Sequence, residues 1–136
     1  MADSESTPAP EPLVRDGDAI EYETVDAADG LEKGVLIDES DGAPTFAIRR
    51  FVLEAGGEVP PHTNAVEHEQ YVLEGEYTVG IGAPADPDGE TYEVSAGDSL
   101  LIPAGTVHWY RNDGDEPGAF LCAVPNGDDE IVLQEE

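Results

Sequence analysis

Basic residues are scarce in this chain. Five Lys and Arg stand against 32 Asp and Glu among 136 residues, so the formal charge is −27. Nucleic acids and anionic membranes are polyanions, and neither is expected as a partner. A single lysine, Lys33, remains. We interpret the acidic excess as adaptation to a halophilic cytoplasm, where molar salt shortens the screening length to ~3 Å; the alternative is an ordinary acidic protein.

Cysteine pairs, signal-like segments and long apolar runs are also missing. Cys122 is the single cysteine, so no disulfide can form within the chain. The first residues, MADSESTPAPEP, have neither the basic region nor the apolar core of a secretory signal peptide. No apolar run is long enough to span a bilayer. We therefore expect a cytoplasmic protein that does not cross a membrane.

The apolar residues that are present lie in short runs typical of β-strands. These runs alternate with Gly, Pro and Asp, and no segment has a helical periodicity. Strands are predicted over residues 20–25, 34–37, 45–54, 69–73, 77–81, 91–94, 99–102, 107–111 and 118–124. Many short strands with regular turn signals predict an all-β sandwich or barrel.

One barrel domain is predicted between two polar ends. Residues 1–18 are rich in Pro, Ser, Ala and acid, and we interpret them as a disordered acidic tail. Residues 19–125 are assigned to the barrel, and this length can bury a core. Residues 126–136 form an acidic C-terminal tail in which 131–133 have the composition of a short edge strand.

All three histidines of the chain lie in two stretches with regular spacing. The first stretch runs from Gly57 to Gly75 and contains His62, Asn64 and His68. The second, GDSLLIPAGTVHWYRN, covers residues 97–112 and contains His108. Both spacings resemble the two sequence motifs of the cupin family, and the second motif matches in full. In the first, Asn64 occupies the place of a second histidine and His68 the place of the acid.

The resemblance implies a fold and a metal site. The fold is the cupin double-stranded β-helix, a jelly-roll barrel of two antiparallel sheets. The metal ligands are His62, His68 and His108, with Asn64 either a fourth ligand or behind a bound water. Fe, Mn, Ni, Cu and Zn all suit an imidazole-rich site. His68 is preferred over Glu69 as the ligand because strand alternation turns Glu67 and Glu69 to the opposite face.

Strand alternation also suggests side chains that contact a substrate. Gln70 and Tyr110 should face the barrel interior, although Tyr110 is equally suited to a core position. Arg49 or Arg50, whichever faces inward, is a candidate for binding a substrate carboxylate; pairing with protein carboxylates is the alternative. Cys122 is interpreted as a small buried hydrophobe rather than a nucleophile.

Three functions are compatible with this pattern. The favoured one is a divalent-metal-dependent enzyme, an oxidoreductase of the dioxygenase type, acting on a small organic substrate inside the barrel. A non-catalytic binding or sensing protein is the first alternative, and a metal-dependent isomerase or lyase is the second. We also expect a homodimer, because small barrels of the cupin family commonly pair their sheets.

The charge predicts a dependence of stability on salt. At low ionic strength the screening length is about 30 Å, so the surface carboxylates repel one another across much of the molecule. The melting temperature should therefore fall markedly when the protein is moved from molar salt to low salt. Equal melting temperatures in the two buffers would contradict the halophilic interpretation.

Overall fold

Ten β-strands and two short 3-10 turns form the part of the chain that the structure, a computed structural model, describes, namely residues 10–127 and 131–133. The strands are β1 Tyr22–Thr24, β2 Asp29–Ile37, β3 Phe46–Asn64, β4 His68–Glu74, β5 Glu76–Ile81, β6 Glu90–Ser95, β7 Ser99–Ile102, β8 His108–Arg111, β9 Gly118–Pro125 and β10 Ile131–Leu133. All described strand pairings are antiparallel. The prediction of an all-β barrel of antiparallel strands is confirmed.

Strand β3 joins the two halves of the barrel. Its first half pairs with β2 and β9, and its second half pairs with β8 and β10. The ten strands form one continuous sheet with the path β6-β5-β8-β3-β9-β4-β7, while β2 and β10 also pair with β3, and β1 pairs with β2. Strand β3 divides it into two parts, which we call the first sheet (β1-β2-β3-β9-β4-β7) and the second sheet (β10-β3-β8-β5-β6). The two sheets curl around a common interior because the same strand passes from one to the other.

A bulge in β3 changes which of its side chains face inward. Val59 pairs with Tyr110 and His62 pairs with His108, so two residues of β3 stand opposite one residue of β8. Pro60 and Pro61 occupy the extra length, and proline cannot donate to a ladder of backbone hydrogen bonds. Before the bulge the buried residues include the odd-numbered Ala47, Arg49, Leu53 and Val59, whereas beyond it the even-numbered His62 and Asn64 are buried. The bulge thus turns His62 into the barrel.

The core lies between the two sheets. Leu53, Val72 and Val79 are fully buried, and Tyr77 and Phe120 are 2% and 3% exposed. The hairpin between β4 and β5 turns at Gly75, whose φ is 78°. A Cβ atom there would lie 2.5 Å from the Pro117 carbonyl oxygen, so this turn requires glycine. The turn sets the register that brings β4 residues into the interior.

Some predicted boundaries were wrong. The predicted strand 45–54 extends to Asn64, and the predicted strand 34–37 begins at Asp29. Beyond residue 54 the chain stays extended through Gly56, Gly57, Pro60 and Pro61, and Gly56 takes up the bend with a φ of 80°. Gly30 and Gly34 lie within β2 and interrupt its apolar run.

The two ends of the chain are partly visible. Residues 1–9 of the predicted N-terminal tail lie outside the described residues. Within the rest of that segment, Asp16 caps a 3-10 turn at Gly17–Ala19, and Arg15 forms a salt bridge with Asp41 at 2.6 Å. Near the C-terminus, β10 pairs with β3 beside His62 and Asn64. No helix in the described ranges is long and apolar enough to cross a membrane.

Candidate functional site

A cavity of about 640 Å³ lies inside the barrel and opens toward the N-terminal segment. Strands from both sheets contribute its inner wall. The polar members of that wall are Arg49, His62, Asn64, His68, Gln70, His108 and Tyr110. Every candidate site residue of the sequence analysis therefore lines one cavity.

His62, near the C-terminal end of β3, and His108, the first residue of β8, form a pair. They are direct partners in the ladder, and their ring centroids are 4.2 Å apart. The Nδ1 atom of His62 lies 2.8 Å from the Pro60 carbonyl oxygen, and that of His108 lies 2.9 Å from the Thr106 carbonyl oxygen. A carbonyl only accepts hydrogen bonds, so both Nδ1 atoms donate. In the neutral rings the lone pair then resides on Nε2.

His68 enters the cavity from β4 and contacts a thiol. It is 5% exposed, and its Nδ1 atom lies 3.1 Å from Sγ of Cys122 on β9. Cys122 also accepts a hydrogen bond of 3.5 Å from Nη2 of Arg49. When Nδ1 of His68 donates to the sulfur, its lone pair is likewise on Nε2.

The three histidines are not drawn into one tight cluster. Within residues 10–127 and 131–133, no group of three or more His, Cys, Asp or Glu side chains has the arrangement of a metal site. The structure brings two of the three imidazoles into ring contact and places the third on another strand of the same cavity.

Asn64 adds a buried oxygen next to the histidine pair. It is 6% exposed, and its Oδ1 atom has no hydrogen-bond partner among the described residues. Leaving such an oxygen buried and unsatisfied costs about 1–3 kcal/mol. An amide oxygen in this state is suited to accept a cation or a water that is held in the cavity.

Glu67 and Glu69 lie outside the cavity. Glu69 is exposed on the outer face of β4, next to the inward-facing His68. A hydrogen bond with Glu67 raises the pKa of the Glu69 carboxyl. The carboxylates that flank His68 in the sequence are thus separated from the histidine pair by the sheet itself.

Gln70 and Tyr110 form a buried hydrogen-bonded pair. Nε2 of Gln70 donates to the Tyr110 hydroxyl oxygen at 2.8 Å, and Oε1 of Gln70 has no partner among the described residues. Burial raises the pKa of Tyr110 well above its usual range. The phenol therefore keeps its proton at neutral pH.

Arg49 is the arginine that faces inward. It is 8% exposed, and its guanidinium carbon lies 5.4 Å from the centroid of the Phe51 ring. Arg50 points to the other face, where it contacts Glu74 at 3.1 Å. The alternation of β3 decides between the two arginines in favour of Arg49.

Three aromatic rings that line the cavity, Phe51, Phe120 and Tyr110, are stacked on one another in succession. Phe51 and Phe120 are stacked at 5.2 Å with an interplanar angle of 19°, and Tyr110 and Phe120 at 5.6 Å with 25°. Tyr77 touches Tyr110 edge-on from outside the cavity. This part of the wall is therefore a stack of aromatic rings, next to the polar residues that line the rest of the cavity.

The sequence analysis missed two features of the site. Residues between Arg15 and Ala28 line the cavity mouth, and the Arg15 guanidinium lowers the pKa of Asp41 to about 2. The signal available in the sequence was Arg15, a basic residue within an acidic segment, which suggests that its side chain has a partner in the fold. Cys122 contacts both His68 and Arg49; its alternation with Phe120 and Val124 placed it inward but did not identify these partners.

Comparison with known proteins places this architecture in a family. A family model described as "Cupin domain" matches residues 49–124. "Germin-like protein 5-1" of Oryza sativa subsp. japonica is 33% identical over 93 residues, which cover 66% of this chain and 42% of that protein. The chain matches less than half of the length of the first curated relatives.

Solved structures share the barrel over nearly the whole chain. The polyketide cyclase RemF from Streptomyces resistomycificus is 29% identical, with a TM-score of 0.81, over 93% of this chain and 87% of that one. The cupin-2 domain protein Rru_A2000 from Rhodospirillum rubrum has the same fold at 21% identity, with a TM-score of 0.74, over 93% and 83% of the two chains.

The family match covers more than half of the chain and contains both motifs with their three histidines. The barrel that carries them is the one found in these structures. The chain therefore belongs to the cupin family.

Proposed function

We propose that this cupin is a metal-dependent enzyme that binds a divalent ion and a small organic substrate inside the barrel. The observation that carries the proposal is the pair of His62 and His108, whose Nδ1 atoms both donate to backbone carbonyls and whose Nε2 atoms keep the lone pair. This arrangement orients imidazoles as metal ligands.

The surrounding donors fit a divalent ion. Asn64 supplies a buried amide oxygen without a protein partner, and His68 supplies a third imidazole from the same cavity. We assign His62, His68 and His108 as ligands, with Asn64 as a fourth ligand or as the partner of a bound water.

The ligand set determines what the ion contributes. Imidazole and amide donors are neutral, so an Fe, Mn, Ni, Cu or Zn ion would keep its full charge and polarise an oxygen of the substrate. The backbone carbonyls of Pro60 and Thr106 hold two of the imidazoles in place before any ligand binds. Little reorganisation is then needed at the site.

The rest of the cavity is suited to a substrate with negative charge. Arg49 offers a buried positive charge beside Phe51, and we assign it to a carboxylate or enolate oxygen. Gln70 and Tyr110 are assigned as further substrate contacts. The aromatic wall excludes water and strengthens these polar interactions.

Two reaction classes follow from this site. The three imidazoles assigned as ligands resemble the ligand set of cupin dioxygenases, and this supports an oxidation of the substrate by O₂. A second candidate is an O₂-independent ring closure, because the similar structure RemF is a polyketide cyclase with 29% identity over most of the chain. A cupin that binds its ligand without converting it remains the non-catalytic alternative.

The ligand assignment can be tested at adjacent residues of β4. His68→Ala should lower metal affinity by more than the roughly 10–100-fold that loss of an outer hydrogen-bond partner costs, because it removes an imidazole from the cavity. Glu69→Ala is the matched control and should keep the metal, since Glu69 is exposed on the outer face. Metal content and affinity of the purified variants are the measurement. Metal loss only in the Glu69 variant would identify a histidine-and-glutamate site instead.

The reaction class can be tested by removing O₂. The metal-loaded protein is incubated with phenols, catechols and β-dicarbonyl compounds, with and without O₂, and the products are analysed by mass spectrometry. A dioxygenase should consume substrate and O₂ in equal amounts and stop under anaerobic conditions. Anaerobic conversion with loss of water indicates ring closure. Binding without conversion in both atmospheres contradicts an enzymatic function for this panel.

We also propose that the chain forms a homodimer through the outer face of the first sheet. Phe46, Tyr71 and Leu101 are 63%, 49% and 61% exposed, and the register places Tyr71 beside Leu121 on the neighbouring strand. Two copies that each carry −27 can approach most closely where apolar residues predominate. Glu69 lies within this face, so association should strengthen as salt screens the repulsion between the Glu69 carboxylates of the two copies.

Light scattering in molar salt tests the dimer. The wild-type chain should have the mass of two copies, and Leu101→Glu should give a monomer because it buries a charge in the contact. Tyr92→Glu is the control, since Tyr92 is 47% exposed on β6 in the other sheet. A monomeric wild-type mass contradicts the proposal.

A further inference from the structure

The Gln70–Tyr110 pair has hydrogen-bonding capacity that the protein does not use. The Gln70 side chain is 4% exposed, and its Oε1 atom has no hydrogen-bond partner among the described residues. Buried amide oxygens are nearly always satisfied by protein, water or ligand. Gln70 is one of the residues that line the cavity, and a ligand held there can supply the partner that this acceptor lacks.

Tyr110 supplies the complementary donor. Its oxygen accepts the Nε2–H of Gln70 at 2.8 Å, which leaves the hydroxyl proton to donate into the cavity. Tyr110 is 5% exposed, and burial keeps the phenol protonated. One donor and one acceptor therefore lie side by side, one on β8 and the other on β4.

A single hydroxyl group on a ligand satisfies both atoms. Its oxygen can accept from Tyr110 while its proton is donated to Oε1 of Gln70, which closes a ring of three hydrogen bonds with the bond between Gln70 and Tyr110. A carboxylate or an ether cannot complete this ring, because neither has a proton to donate to the amide oxygen. A hydroxyl group, in contrast, can accept the hydrogen bond from Tyr110 and donate one to Gln70.

The shape of the adjoining wall limits the group that carries the hydroxyl. Phe51 stacks on Phe120 at 19°, and Phe120 stacks on Tyr110 at 25°. A planar conjugated ligand can extend this stack at one end or meet the ring edges. Arg49 next to Phe51 favours a ligand whose oxygens carry partial negative charge.

We infer that the Gln70–Tyr110 pair is a specificity-determining site for a phenolic or enolic hydroxyl on a planar substrate. This inference rests on the proposed function in one respect: it places that hydroxyl in the same cavity as the metal. It assigns to Gln70 and Tyr110 the choice of substrate and leaves the chemistry to the histidine side of the cavity. Sites built around a substrate hydroxyl discriminate strongly against analogues that lack it.

The test uses three probes that differ only at one group: a naphthol, its methyl ether and naphthalene. Each is titrated calorimetrically into the full-length, metal-loaded protein. The naphthol should bind at least about tenfold more tightly than the ether, because only the naphthol satisfies the amide oxygen. Equal affinities for the naphthol and the ether, or no binding of any probe, would overturn the inference.

Variants identify the residues responsible for the preference. Gln70→Leu and Tyr110→Phe should each bring the affinities for naphthol and ether to within about twofold of each other, because each removes one arm of the ring. Tyr77→Phe is the control. Tyr77 is buried against Tyr110 but does not line the cavity, so its variant should keep the preference. A preference retained in both cavity variants contradicts the assignment, and if either variant does not fold, the wild-type comparison decides.

Metal analysis of the same samples separates this inference from the proposed function. A naphthol preference in protein that binds no metal leaves the specificity site standing and contradicts the metal-dependent enzyme. Bound metal together with equal affinities for the naphthol and the ether contradicts the specificity site and leaves the proposed metal-dependent enzyme standing.

Discussion

The site depends on the hydrogen bonding of one strand that belongs to both sheets. Strand β3 pairs with β2 and β9 along its first half and with β8 and β10 along its second. It therefore supplies Arg49 and Phe51 to one side of the cavity and His62 and Asn64 to another. If β3 ended where its apolar run ends, the cavity would keep its arginine and aromatic wall but would lack the histidine pair.

The interior and the surface of this barrel have opposite electrostatic character. The surface carries nearly all of a charge of −27, whereas the cavity contains imidazoles, amides, a phenol and a buried guanidinium. Because these inner groups are neutral or positive, the cavity can attract an anionic oxygen that the surface repels. Salt screens the repulsion between exposed charges more effectively than the interactions inside a buried site. A saline environment would thus keep the attraction within the cavity while it weakens the surface field.

The buried polar atoms explain why two kinds of ligand are proposed for one cavity. Oδ1 of Asn64 lies beside the histidine pair, and Oε1 of Gln70 lies beside Tyr110. The first is placed for a cation or its water, and the second for a hydroxyl proton. Each of these oxygens lowers the stability of the ligand-free protein while it has no hydrogen-bond partner. A ligand that supplies the partner removes this cost, and this contributes to its binding.

The spacing of glycines, Pro103 and the three histidines was sufficient to predict the family and the all-β class, because turns and alternation are local properties of the chain. Alternation from His68 and His108 correctly turned Gln70 and Tyr110 inward, where the strands are regular. Alternation along the sequence could not predict that His62 faces inward. The bulge at Pro60 and Pro61 changes which residues of β3 point into the barrel, and this bulge forms only through the pairing of β3 with β8. The choice of Arg49 over Arg50 and the contact of Cys122 with His68 likewise required the register between β3, β4 and β9. Pairing between distant strands sets these contacts, and no local pattern in the sequence encodes them.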